Sequence, residues 1–218
     1  MNFEILKKEF DTLYAQLNDG EVPEWASPGL THAELSSVEG RLGVKLPQVL
    51  KHAFFAFGRI EYDSPFYLKP ALIKRMQKLL VSASSNDLEE DCLPDDIGFQ
   101  RVYSPLEWGA SDEWIEMRAV LDNILEDNLY AIDPKQRVAV DCNMEWLKHK
   151  RFILIGSVYG GWLFINLIDE SASNYGALYI ALDDVSPCYL MFKVADDYGS
   201  FLENMKSSIQ RAIKSGEY

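Results

Sequence analysis

Positive charge is scarce in this chain, cysteine and histidine are scarcer, and long apolar runs are missing altogether. Lys and Arg number 21 against 34 Asp and Glu, a net charge of −13. Such a field repels nucleic acid and anionic membrane and attracts a basic partner. Cys92, Cys142 and Cys188 are odd in number and far apart. That spacing supports neither a disulfide framework nor a zinc site, both of which need paired or clustered thiols. Reduced, buried thiols are expected instead. No apolar stretch reaches the roughly 18 to 20 residues that span a bilayer. MNFEILKKEF carries charges where a signal peptide needs an apolar segment. These absences predict a cytosolic protein acting on neither membrane nor nucleic acid.

Recognisable chemistry is equally sparse. There is no phosphate loop, dinucleotide fingerprint or nucleophile elbow. Gly160-Gly161 lacks the flanking glycine and following helix of a phosphate cradle, and reads as a tight turn. His32, His52 and His149 are separated in sequence, and none has a Cys or Ser partner in a known motif. The chain therefore offers no positive argument for a catalytic residue, a cofactor or a metal.

What is present is a core. Apolar residues make up 48% of 218, enough for one compact domain spanning 1–218. Phe3, Leu6, Phe10, Leu13, Tyr14 and Leu17 recur at helical spacing. The Gly/Pro-rich NDGEVPEWASPG follows as a linker, with Trp25 expected to anchor on the core; residues 1–30 thus form an N-terminal helix and linker. Thr31 and Glu34 form a capping box that opens a second helix with Leu35, Val38 and Leu42 inward. Gly43 ends it as a left-handed cap, and Pro47 starts another at once, with Leu50, Phe54 and Phe57 on one side before Gly58. This is a tight helix–turn–helix corner, and with little positive charge beyond Lys51 a DNA-reading role is disfavoured.

PALIKRMQKLLV (70–81) predicts a helix, IGFQRVY a strand, and SDEWIEMRAVLDNILED a helix capped by Ser111. Trp114, Met117, Val120, Leu121 and Ile124 are its expected inward face. LYAI, RVAVD, RFILIGS, WLFINLI, ALYIAL and CYLMFKV are short, rich in β-branched and aromatic residues, and separated by turns. Their connections are too short for crossover helices, which predicts an antiparallel meander over 129–195. Leu42, Leu46, Phe54, Ile153, Ile155, Leu163 and Ile165 are expected core members. The strands FILIG and WLFIN are apolar on both faces, as under helices on both sides. Phe201, Met205, Ile209, Ala212 and Ile213 make a closing helix. The fold class is α+β, one domain, with N-terminal helices on a mainly antiparallel sheet.

The excess charge is localised. Residues 87–127 hold thirteen acids against Arg101 and Arg118, a net −11, whereas residues 1–86 are neutral and 128–218 carry −2. DLEEDCLPDDIG does not follow a calcium-loop spacing. A solvated loop, a protein-binding face and a metal site remain the three readings of this cluster. Glu89, Glu90, Asp91, Asp95, Asp96, Glu113, Glu116, Asp122 and Glu126 are the candidate partner-binding residues.

The corner Glu39, Leu42, Gly43, Leu46 and Pro47, followed by Phe54, Phe55 and Gly58, resembles the SUKH superfamily. That family includes bacterial toxin-immunity proteins and fungal cell-wall-synthesis regulators of SMI/KNR type. FILIGSVYGGWLFINL and DDYGSFLENM are similar to its later strand hairpin and closing helix. The resemblance covers about residues 31–205. Trp162 stands where members often carry Asp or Asn, and residues 61–150 have no clear counterpart. The resemblance implies a non-enzymatic binding module with no catalytic residues: an immunity protein neutralising a cognate toxin, often a nuclease. A basic nuclease would suit the acidic segment. The alternative is a regulatory or scaffold protein of the same kind without a toxin partner.

Overall fold

The computed structural model describes residues 1–17, 29–58, 60–83, 96–110, 112–131, 133–182 and 189–216. Trp25, Cys92, Cys188 and the cap at Ser111 lie outside them. The described elements run α1 (Phe3–Leu17), α2 (His32–Leu42), α3 (Gln48–Ala56), β1 (Ile60–Tyr67), α4 (Pro70–Ala83), β2 (Asp96–Val102) and α5 (Asp112–Ala131). There follow β3 (Arg137–Val140), β4 (Phe152–Val158), β5 (Gly161–Asn166), β6 (Leu178–Leu182), β7 (Tyr189–Ala195) and α6 (Tyr198–Ser215). One α+β domain results, with a seven-stranded sheet in the order β1-β2-β4-β5-β6-β7-β3.

Strands β4 to β7 form the expected meander, each antiparallel to the next. Three features depart from expectation. First, LYAI is no strand, because α5 continues to Ala131; a four-residue apolar run carries no period that separates helix from strand. Second, β1 (IEYDSPFY) joins the sheet antiparallel to β2. Its Asp, Ser and Pro disguise it, and Pro65 is tolerated because β1 is an edge strand. Third, β3 pairs with β7 in parallel, Arg137↔Tyr189 through Val140↔Phe192. β2 occupies the free side of β4, so RVAVD is carried to the far edge.

Alternation along the central strands divides the core into two layers on either side of the sheet. Ile153, Ile155, Leu163, Ile165, Ile180 and Phe192 face the layer built with α1, α2, α3, α4 and α6. Phe152, Leu154, Trp162, Phe164, Tyr179 and Met191 face the other, closed by α5 and a short 3₁₀ turn at Met144–Lys148. Leu46 and Phe54 are buried as expected. Leu42 is only half-buried, packed at the margin of the first layer.

The corner is held by its own motif. Thr31 Oγ1 accepts from the Glu34 amide at 3.3 Å, and a Glu34 carboxylate oxygen accepts from the Thr31 amide at 2.7 Å. The Thr31 amide and then the Thr31 hydroxyl, both donating to that carboxylate oxygen, keep the Glu34 carboxyl below its usual range. Gly43 has φ +62 and donates to the Glu39 carbonyl. The Glu39 side chain then accepts from the Leu46 amide at 2.7 Å and pairs with Lys51 at 2.6 Å, satisfying the turn from within. The Tyr175 hydroxyl donates to the Lys45 carbonyl from the β5–β6 connection. Gly43→Val is expected to cost about 1 kcal/mol or more, since a β-branched residue resists the left-handed region. Pro47→Ala should cost less. Urea melts of both variants check this, and a neutral Gly43→Val would remove the cap argument.

Candidate functional site

Helix α5 is the element on which the described part of the acidic segment is displayed. Its inner side is fastened to the sheet. Leu121 and Leu125 are buried, and Trp114 Nε1 donates to the Leu154 carbonyl at 3.1 Å. The Tyr103 hydroxyl meets the Met117 sulfur at 3.4 Å, and an Arg118 Nη donates to the Leu147 carbonyl at 3.1 Å. Side chains from both ends and the middle of the contact thus set the rotation of the helix.

At about 100° per residue, that rotation turns Asp112, Ile115, Glu116, Ala119, Val120, Asp122, Asn123 and Glu126 outward. All are exposed. Val120, expected to face inward, is 52% exposed, and Ile115 is 51% exposed. The reason is angular: Val120 lies about 120° around the helix from Trp114 and Leu121 lies nearly in line with it. The outer face therefore interleaves two β-branched apolar side chains with four carboxylates. Sequence reasoning passed over Ile115 and misplaced Val120, and a helical wheel anchored on Leu121 and Leu125 would have found both.

The candidate residues divide accordingly. Glu116, Asp122 and Glu126 come together on this face, with Asp112 as an addition. Asp122 is partly committed, pairing with Arg118 at 2.9 Å. A shallow groove at the inner margin of the helix is lined by Arg118, Asp122, Leu125, Glu126 and Lys148. Asp96 opens β2 and Glu113 lies in α5, but their side chains are outside the described residues, as are Glu89, Glu90, Asp91 and Asp95 altogether. Trp162 sits in the layer beneath α5, 8% exposed.

The histidines do not assemble a reactive group. The His32 and His52 rings flank Phe55 at 4.3 and 6.2 Å between centroids, whereas His149 Nδ1 accepts the Arg151 amide in a distant turn. Among the described residues no three His, Cys, Asp or Glu side chains converge as metal ligands, and no helix is long and apolar enough to cross a membrane. The half-buried Cys142 is a free thiol bonded to the Met191 carbonyl.

Burial pushes the Cys142 thiol up to about 12 from an ordinary 9.0. The fold thus favours the neutral thiol, and this contribution is complete below pH 9.0 and lost as pH climbs toward 12. At pH 8 the native thiolate fraction is small, so carboxymethylation of Cys142 should be at least about a hundredfold slower than in urea. Peptide mass mapping reads this directly, and comparable rates would show an accessible, activated thiol.

No protein-family model and no curated protein matches this chain.

Proposed function

We propose that the chain is a non-enzymatic protein-binding module whose α5 face docks a basic protein domain. The observation that supports this is the outer face of α5. Apolar side chains at half exposure, set among carboxylates, supply desolvated contact area and an electrostatic rim together. The placement of this face in the segment carrying −11 of the chain's −13 favours a strongly basic partner. The resemblance of the Glu39–Pro47 corner to SUKH proteins extends the proposal. The partner is then a cognate toxin domain of basic, nuclease type, which the chain neutralises in the cytosol as an immunity protein.

The test is protection. Toxin domains encoded beside the gene are expressed with the chain and growth is scored. One of them should be lethal alone and tolerated with the wild-type chain. The Ile115→Asp, Val120→Asp double variant should lose protection while keeping the wild-type circular dichroism spectrum. Full protection by the folded double variant would remove α5 as the docking face. Failure to protect against any neighbouring toxin would favour the regulatory or scaffold reading.

A further inference from the structure

One groove on the described surface reverses the sign of the protein. It encloses about 720 Å³ where the end of β1 and the start of α4 meet the end of β7 and the outer side of α6. Among the described residues its charged lining consists of Lys69, Arg75, Lys193 and Arg211 against Asp141 and Asp196. Four cations over two carboxylates leave +2, in a chain of net −13.

The two carboxylates are already engaged. Asp141 pairs with Arg75 and Asp196 with Lys193, both at 2.8 Å. Asp141 also holds a left-handed backbone, φ 58, the one such non-glycine among the described residues. That conformation is disfavoured for a side-chain-bearing residue but least so for Asp and Asn, and it places this carboxylate in the wall of the groove. Of the remaining two cations, Lys69 lies near enough to Asp196 to help hold its carboxyl below the usual range, after the larger effect of Lys193. Among the described residues neither Lys69 Nζ nor the Arg211 guanidinium has a carboxylate at ion-pair distance.

Arg211 is nevertheless held in place. Its guanidinium carbon lies 3.9 Å from the centroid of the Tyr67 ring, a stacking that fixes the plane and leaves the in-plane N–H donors open. Tyr67 is in turn fixed by Ser208, whose hydroxyl accepts the Tyr67 amide at 3.0 Å and donates to the Asn204 carbonyl. Ser200 and Ser207 add hydroxyls to the lining, and Phe66, Leu68 and Val194 add apolar wall. The first turn of α4, which contains no acidic residue, borders the same space.

We infer that this groove binds a small phosphorylated molecule, its phosphate held by Arg211 and Lys69. The Ser207 hydroxyl donates to the Glu203 carbonyl, so the donors offered are an oriented guanidinium fork, a point-charge ammonium and the Ser200 hydroxyl, which match a dianion with three equivalent acceptor oxygens. The volume lies in the ordinary range for small-ligand sites. The small size of the excess decides against a polyanion: two surplus charges suit one compact phosphate within a screening length of about 8 Å, and an extended nucleic acid would find no basic track beyond them. This site is separate from the α5 face and stands or falls independently of the docking proposal.

The experiment is a titration of the ¹⁵N-labelled chain with sodium pyrophosphate at constant ionic strength, followed by amide shifts. Saturable perturbations are expected around Lys69–Leu72 and Ser200–Arg211. Arg211→Gln and Lys69→Gln should each weaken binding about tenfold, with Lys150→Gln, away from the groove, unchanged. Arg211 also packs on Tyr67, so Lys69→Gln, on an exposed side chain, keeps the test decisive if the first variant folds poorly. The proposal is overturned if groove amides do not shift, or if neither variant alters the affinity. It is overturned equally if citrate at matched charge binds as tightly, since the groove would then select carboxylates.

Discussion

Phe54→Ala is expected to cost about 3–5 kcal/mol in urea-melt stability, while Phe55→Ala, one residue on, should cost about 1 kcal/mol or less. Phe54 is fully buried, with its ring 5.2 Å from the Tyr198 ring in a stacked arrangement and 5.8 Å from Trp108 edge-on. Three elements meet on it: α3, the turn after β2, and the first turn of α6. Truncation leaves a cavity bounded by aromatic rings that cannot collapse without moving α6. Phe55 is half-buried and tilts against His32, so water can refill the space it leaves. Equal costs for the two variants would show that α3 is rotated from the orientation described, because burial alone separates the neighbours.

The second large effect is kinetic. Replacing Asp112, Glu116 and Glu126 with Lys should slow association with a basic partner by tenfold or more at low salt. Each substitution removes attraction and adds repulsion on the exposed face of α5. Asp122 is left unchanged because it pairs with Arg118, and reversal there would set two cations together. The loss should shrink toward physiological salt, where the screening length is about 8 Å. Folding should survive, since exposed charges contribute only about 0–1 kcal/mol each. Stopped-flow binding at two salt concentrations against the toxin domain found by the protection test measures both. An unchanged rate in the folded variant would make the acidic stretch a solvated face.

How much could be read from residues varies by element, for physical reasons. The Thr31–Glu34 box, the Gly43 cap and the Phe201/Met205/Ile209 stripe were legible because each signal is local, lying within one or two helical turns. The meander β4–β7 was legible because its connections are too short to hold crossover helices, the longest being that between Asn166 and Leu178. β1 was hidden by Asp, Ser and Pro, and LYAI was misread because four residues contain too little periodicity. At the candidate face, the carboxylates Glu116, Asp122 and Glu126 could be named from charge alone. Ile115 and Val120 could not, since a helix of mixed pattern has no unique inward face until something packs on it. Arg211 and Lys69 gave no signal at all, being ordinary surface cations in sequence.

The chain by itself determined its α+β composition, the corner, the two-sided apolarity of FILIG and WLFIN, and the concentration of −11 in residues 87–127. Each follows from side-chain chemistry and spacings of a few residues. Tertiary structure decided where β1 and β3 close the sheet, because strand order depends on which edges remain open when distant segments meet. It also fixed the rotation of α5, through the Trp114 and Arg118 bonds to Leu154 and Leu147. Finally it gathered Lys69, Arg75, Lys193 and Arg211 around one groove. Those four side chains come from three places in the chain, and only the packing of α4 and its lead-in against β7 and α6 brings their charges within reach of one another.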